Sequence, residues 1–465
     1  MVSMRAIFVS LVVLVACGTK INPDVCCTDT ADCAAKGVPD GSMCTDGLVC
    51  RGNSCIAETC VTSDQCEPGA PFCSSSMLCS ATCALDSECP GFGGVASNPY
   101  CESGACVECR TSADCSSGSP ICRANGSCGT CSVDADCPSR VCRDDGTCSS
   151  SNDVAYLDAA GADAGACTQA APCRTLGYTV SKTSDARYTI AVAAGLYLGP
   201  LDLFTAPSNQ LEIHGGGASF SQPEANDGIA LNIRSEFQLV SIRDAIFTAG
   251  GTGTALSSGS PLALRRVTIK DASQCLIASN LEAHHLKLEN CTMTALVLHG
   301  LATIDGMEIS GGGVGISSSA ALSLKNVLVH DTIGHAAEFL VGSSGTVSFS
   351  TVVNSGDRGS SNMGRAVTCM SGSVSFISSI VWAPGNTAAQ AISACALSTT
   401  IAGPTPVVGA TSSDPLFFDP ATQNYHLTAG SPAIDVAPTG PPTDRDDVAR
   451  PQGLRFDLGS YEYKP

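Results

Sequence analysis

Five side chains in the middle of the chain could move protons: His284, His285, Lys287, Asp305 and Glu308. They alternate with apolar residues, so an extended strand would turn them to its outer face. A Lys or His there could serve as a general base, and carboxylates at a fixed separation could work as an acid and base pair. No carboxylate pair recurs at a hydrolytic spacing, however. Lys287 over Glu308 and His285 over Asp305 also form the alternation of an ordinary surface charge ladder. Near the C-terminus, Asp435, Asp457 and Glu462 stand close to Arg450. Pairing with that arginine is the default expectation, with calcium as the alternative ligand.

The element that must position the five is a repeat, apolar-x-apolar-x-x-apolar-x-apolar. It reads Val240/Ile242/Ala245/Phe247, Leu262/Leu264/Val267/Ile269, Leu281/Ala283/Leu286/Leu288, Ala302/Ile304/Met307/Ile309, Leu322/Leu324/Val327/Val329, Val347/Phe349/Val352/Asn354 and Val374/Phe376/Ser379/Val381. Successive starts lie 22, 19, 21, 20, 25 and 27 residues apart. Self-similarity at this period marks a solenoid, in which each repeat buries its apolar face on the next. Ile190/Val192 and Leu211/Ile213 extend the series to nine rungs, the first at 189–197. Short apolar patches between rungs, with Gly, Ser and Asn at the corners, call for two or three strands per coil. Nine or ten coils at ~4.8 Å would make a rod roughly 45 Å long.

The rest of the chain is of a different kind. Of 29 cysteines, 23 lie at or before Cys148. CTDTADC (27–33), CVTSDQC (60–66), CALDSEC (83–89), CRTSADC (109–115) and CSVDADC (131–137) open five units, each closed by further cysteines. Units of about two dozen residues are too small to fold on a core alone, so disulfides must substitute. Each four-cysteine unit allows three pairings. Cys106/Cys109 and Cys128/Cys131 have zinc-ligand spacing, but they straddle unit boundaries in a segment without histidine. Asp32, Glu88, Asp114 and Asp136, each just before a cysteine, are expected to cap turns, with calcium again the alternative. Farther on, Cys167/Cys173 and Cys369/Cys395 are expected to bridge, and Cys275/Cys291 less readily. The formal charge of −19 argues against nucleic acid and anionic membrane surfaces, and fits a cationic ligand or bound cation better.

Four resemblances add to this. After the apolar run 6–15, Leu14-Val15-Ala16-Cys17-Gly18 resembles a bacterial lipobox, which implies a signal peptide over 1–16 and lipidation of Cys17. Gly18 is not the Asp that retains such proteins at the inner membrane, which implies an outer-membrane, cell-surface site. The cysteine spacing resembles Dickkopf-like repeats. The run 154–197 resembles the opening of right-handed parallel β-helix proteins of the pectin-lyase-like type, with a short capping helix from Arg174 to about Ser184. Asp414-Pro415, Ser431-Pro432, Arg450-Pro451 and Gly459-Ser460-Tyr461-Glu462 resemble the C-terminal block of choice-of-anchor β-helix proteins.

The expected organisation is a signal peptide (1–16), a lipidated linker (17–25), five cysteine-rich repeats (26–150), a parallel β-helix of about nine or ten coils (151–403) and a closing cap (404–465). The fold class is all-β. Carbohydrate-cleaving β-helix proteins carry their bases and carboxylates on outward columns, so the resemblance implies a polysaccharide lyase or glycosidase as the alternative. Gly334-His335-Ala336 matches the polygalacturonase Gly-His-Gly only in part, and one Trp, eight Tyr and thirteen Phe are few for a sugar-stacking groove. The favoured expectation is therefore a non-enzymatic, lipid-anchored surface protein whose β-helix binds a polysaccharide or another surface protein, with no cofactor unless calcium.

Overall fold

The computed structural model describes residues 100–465 except 117, 205–208, 223–227, 235, 356–364, 371–372 and 386–390, together with short stretches between 49 and 89. The expected signal peptide, Cys17, Asp32 and Glu88 lie outside the described residues. The chain divides into two compact units, one ending in Cys142–Cys148 and the other comprising Pro138–Val141 and Ser149–Pro465.

In the first unit the three repeats whose four cysteines are all described share one pairing, first to third and second to fourth. These are Cys83–Cys101 with Cys89–Cys106, Cys109–Cys122 with Cys115–Cys128, and Cys131–Cys142 with Cys137–Cys148. The zinc alternative fails on this geometry, because Cys106, Cys109, Cys128 and Cys131 each hold a disulfide partner elsewhere. Each repeat also fixes its third cysteine by a local side chain. The N–H of Cys101 donates to Asp86 (2.8 Å), that of Cys122 to Ser112 Oγ (3.2 Å) and that of Cys142 to Asp134 (2.8 Å). Asp114 and Asp136 cap their own turns, accepting from the N–H groups of Arg110 and Thr111 and of Ser132 and Val133.

The second unit is a parallel β-helix of about nine turns. Its first sheet starts with Val154–Leu157 and Thr189–Val192 and ends with Ala396–Ser398. The second runs from Leu196–Leu198 to Ile401–Gly403, and the third from Leu201–Leu203 to Ile392–Ser393. Long strands such as Gln274–Glu289 bend through more than one sheet. The coil therefore starts at Val154, one rung before the 189–197 run.

The corner between the first and second sheets explains the repeat. Asp244, Arg266, His285, Asn326, Phe349, Ser378 and Thr399 all have φ between 47° and 54°, and Gly306 has φ 75°. On these coils one left-handed residue makes two successive side chains face outward before alternation resumes, and this is the doubled x of the pattern. Inward positions are buried along the whole coil, with Tyr197, Phe220 and Phe247 stacked at 5.4 and 5.2 Å. Toward the C-terminal end the inner position after the corner becomes hydroxylic. Ser350, Ser379 and Thr400 are buried there and donate to the carbonyls of Ser348, Ile377 and Ser398.

The sixth rung departs from the expected alignment. Leu322 pairs with Gly345 and Leu324 with Val347, so Val347 is the second inward residue and not the first. Phe349 occupies the corner, and Asn354 (φ 49°) the following one. Phe349 is apolar because the C-terminal segment covers it, which a one-coil pattern cannot reveal.

The two ends are closed differently. At the start, helix α1 (Leu176–Val180) buries Leu176 and Val180 on the first coil, shorter than the expected 174–184. Arg187 donates to the carbonyls of Val154, Ala166 and Cys167, and Cys167–Cys173 holds the adjoining loop. Cys275–Cys291 and Cys369–Cys395 are both bridged. At the other end Val407 and Ala410 pack on the coil interior. From about 414 the chain doubles back along the outer face of the second sheet, so most of the expected cap is a lateral strap. It buries Leu328, Phe349, Val353, Ile380 and Ile401 under Phe417, Tyr425, Leu427, Ala437, Leu458 and Tyr461.

Candidate functional site

The outward column of the first sheet stacks His214, Arg243, Arg265, His284, Asp305 and Lys325 on successive coils. That of the second sheet stacks Thr268, Lys287 and Glu308. His284, not His285, is thus the residue over Asp305. His285 stands at the corner, its backbone left-handed (φ 52°) and its ring 4.7 Å from that of His284. The extra residue at the corner shifted the expected partner by one.

Four of the five members of the cluster have a polar partner among the described residues, and His284 has the ring of His285 beside it. Asp305 holds Lys325 at 2.8 Å and accepts from Asn326 Nδ2 at 2.8 Å. Lys287 holds Glu289 at 2.6 Å. Glu308 meets Arg445 of the strap and, at 3.3 Å, the buried His330, whose other nitrogen faces Asp331 at 3.0 Å. His285 lies 3.4 Å from Asp447. Through these contacts the strap reaches the very column that the sequence nominated. Arg445 also donates to Tyr461 Oη at 2.7 Å, and Thr443 O accepts from Asn326.

The electrostatics follow from the partners. The hydrogen bond to Glu289 raises the pKa of Lys287, helped by Glu308, although partial burial opposes it. Burial pushes Glu308 up, but His330, Arg445 and Lys287 outweigh it and hold the carboxyl below its ordinary value. Partial burial, followed by the neighbouring His285, lowers His284. A lysine base must be neutral to accept a proton, and here the lysine is held in its charged form.

The C-terminal acids are used internally. Asp435 accepts from the N–H of Arg455 (2.8 Å), and Asp457 from those of Asp435 (2.7 Å) and Tyr463 (2.6 Å). Glu462 accepts from Gln452 (2.9 Å) and Asp457 (3.1 Å), with the buried Arg450 at 3.6 Å. Arg450 donates to the carbonyls of Asp457 (3.1 Å) and Gly459 (2.9 Å) and stands 5.2 Å from the centre of the Phe349 ring. The expected arginine pairing is thus made by Glu462. Burial raises the pKa of both Asp457 and Glu462. A calcium ion here would compete with these N–H donors for the same oxygens.

His330, Asn326 and Arg445 were not legible as members of the cluster. Arg445 lies 137 residues from Glu308 in the chain, and only the doubling back of the strap joins them. The one sequence signal was a buried histidine at an otherwise apolar rung.

No family model matches the chain, and no curated protein matches it. One solved structure, described as the crystal structure of pectate lyase Pel9A, is similar to it. The TM-score is 0.43 at 11% identity, over 67% of this chain and 96% of the other.

Proposed function

We propose that the chain is an exported surface protein, lipid-anchored through Cys17, whose β-helix displays a binding face for a glycan or another protein and carries out no catalysis. One observation carries the non-enzymatic part. In the best-placed proton-transfer cluster Lys287 is held charged by Glu289, and Glu308 is engaged by Arg445 and His330. Of the five nominated residues only the exposed His284 has no ion pair among the described residues, and the carboxylate beside it, Asp305, is held by Lys325 and Asn326, so no uncommitted acid and base pair remains. The ion pairs read as devices that fix the strap on the solenoid. The disulfide-rich first unit supports export, since such bridges persist in oxidising compartments.

The test is a panel of acidic and neutral polysaccharides incubated with the full chain and assayed for both binding and cleavage. Binding without new chain ends is expected. Cleavage that disappears in Lys287→Ala would replace this proposal with a polysaccharide lyase on the same scaffold. The anchor is tested separately: Cys17→Ser should shift the protein from membrane to soluble fractions.

A further inference from the structure

Two of the described coils lack a side chain at the corner between the first and second sheets, one at Gly215, Gly216 and Gly217 and one at Gly306. Asp244, Arg266, His285 and Asn326 fill that corner on their coils, whereas Gly306 leaves it open. Crowding does not require glycine there. A Cβ at 306 would find its nearest neighbours, N and Nδ1 of His285, at 3.5 Å, an ordinary contact. The result is an open notch of about 270 Å³, walled by Arg266, Lys287, His285, Arg445, Thr268 and Glu308.

The wall carries three fixed cations and one carboxylate, on a chain whose formal charge is −19. That carboxylate, Glu308, is spent on Arg445 and His330. The acids that orient the other two cations are not part of the wall: Asp244 takes Nε and Nη2 of Arg266 at 2.6 and 2.7 Å, and Glu289 takes Lys287 at 2.6 Å. A guanidinium has five N–H donors and an ammonium three, more than the single carboxylate held by Arg266 or by Lys287 accepts. Each cation is balanced by an acid, but Asp244 and Glu289 stand outside the wall, so the lining itself presents more cationic donors than carboxylates, on a chain whose overall charge suggested a cationic partner.

We propose that the notch over Gly306 is an oxyanion site that takes one carboxylate or sulfate group of a ligand, with Arg266, Lys287 and Arg445 as its donors. Arg445 belongs to the strap, so the site is complete only when the strap is docked. The proposal deepens the display reading by naming the chemistry of one contact, and it does not require the anchor or the absence of catalysis.

The experiment titrates the full chain with sodium sulfate, sodium glucuronate and uncharged glucose, followed by calorimetry or by NMR shifts. Saturable binding of at least one anion is expected, weakening as sodium chloride is added, and none of glucose. Gly306→Asn fills the notch with a residue already found at this corner in Asn326, and leaves every charge in place. It should weaken anion binding at least tenfold, as should Lys287→Gln. Lys182→Gln, at the N-terminal turn over Tyr178, should not. Preference for sulfate or for glucuronate identifies which group the site takes. Unaltered affinity in Gly306→Asn, or no saturable binding of either anion, would overturn the proposal and leave the display reading intact. Cleavage of an acidic polysaccharide would defeat the display reading and leave the notch standing.

Discussion

Phe349→Gly separates the strap from the solenoid. A phenylalanine at φ 47° is strained by about 1–2 kcal/mol, which glycine would relieve. Its ring, 6% exposed, is buried under the strap against Phe456 (centroids 6.3 Å) and below Arg450. Removing a buried ring costs about 3–5 kcal/mol, and a flexible glycine adds about 0.5–1. The balance is a loss of about 1.5–5 kcal/mol, falling on the strap and not on the coils. Thr399 occupies the same corner on a later coil, exposed and also left-handed (φ 50°), with no ring to lose. Thr399→Gly should therefore be neutral or slightly stabilising. Hydrogen exchange reads the difference directly. The amides of Ala437, Phe456 and Leu458 bond to Phe456 O, Ala437 O and Ala433 O within the strap. In Phe349→Gly they should exchange about 10- to 4000-fold faster, at tenfold per 1.4 kcal/mol, while strand amides such as Ile242 keep their protection. Equal protection in the two variants, or loss spread evenly over the coils, would show that Phe349 does not anchor the strap.

Acid should loosen the strap through Glu308. Its carboxyl is held below the ordinary 4.5, so its contribution is present above that value and is lost as pH falls through the folded-state pKa. Asp457 and Glu462 are raised and run the other way, so their cost is relieved by acid. Glu308→Gln should therefore expose strap amides at neutral pH, at less than the about 3–5 kcal/mol of a fully buried broken pair, and should flatten their acid-induced exposure between pH 5 and 3. An unchanged profile would remove Glu308 from the latch. Gly345→Ala should be far more damaging than its half-buried position suggests. The residue sits at φ 121°, and a Cβ would fall 1.9 Å from Leu322 O. A loss on the order of 4 kcal/mol or more is expected in urea melts, and a loss below 1 kcal/mol would mean the sixth rung can shift its register.

The parts of the fold legible in advance were those that repeat. Leu262, Leu281, Ala302 and Leu322 pair coil to coil as their spacing required, and both Cys167–Cys173 and Cys369–Cys395 formed as expected. Errors arose where an interaction was used once. Phe349 looked like a core residue because burial under a strap and burial inside a coil favour the same side chain. His285 was set over Asp305 because nothing in the pattern says which of two adjacent outward residues turns the corner.

The sequence by itself determined the period, the two-part organisation and the disulfide dependence of the first unit, because each is a local or nearest-neighbour property. Apolar residues at a fixed interval can be buried only by stacking, and small cysteine-rich repeats can be held only by bridges. Tertiary structure alone decided where 414–465 lies, that Arg445 meets Glu308, and that the notch over Gly306 is ringed by cations. Those contacts join residues on distant coils or, as for Arg445 and Glu308, 137 positions apart, and each is made once. They depend on the path by which the strap doubles back, and no period records that path.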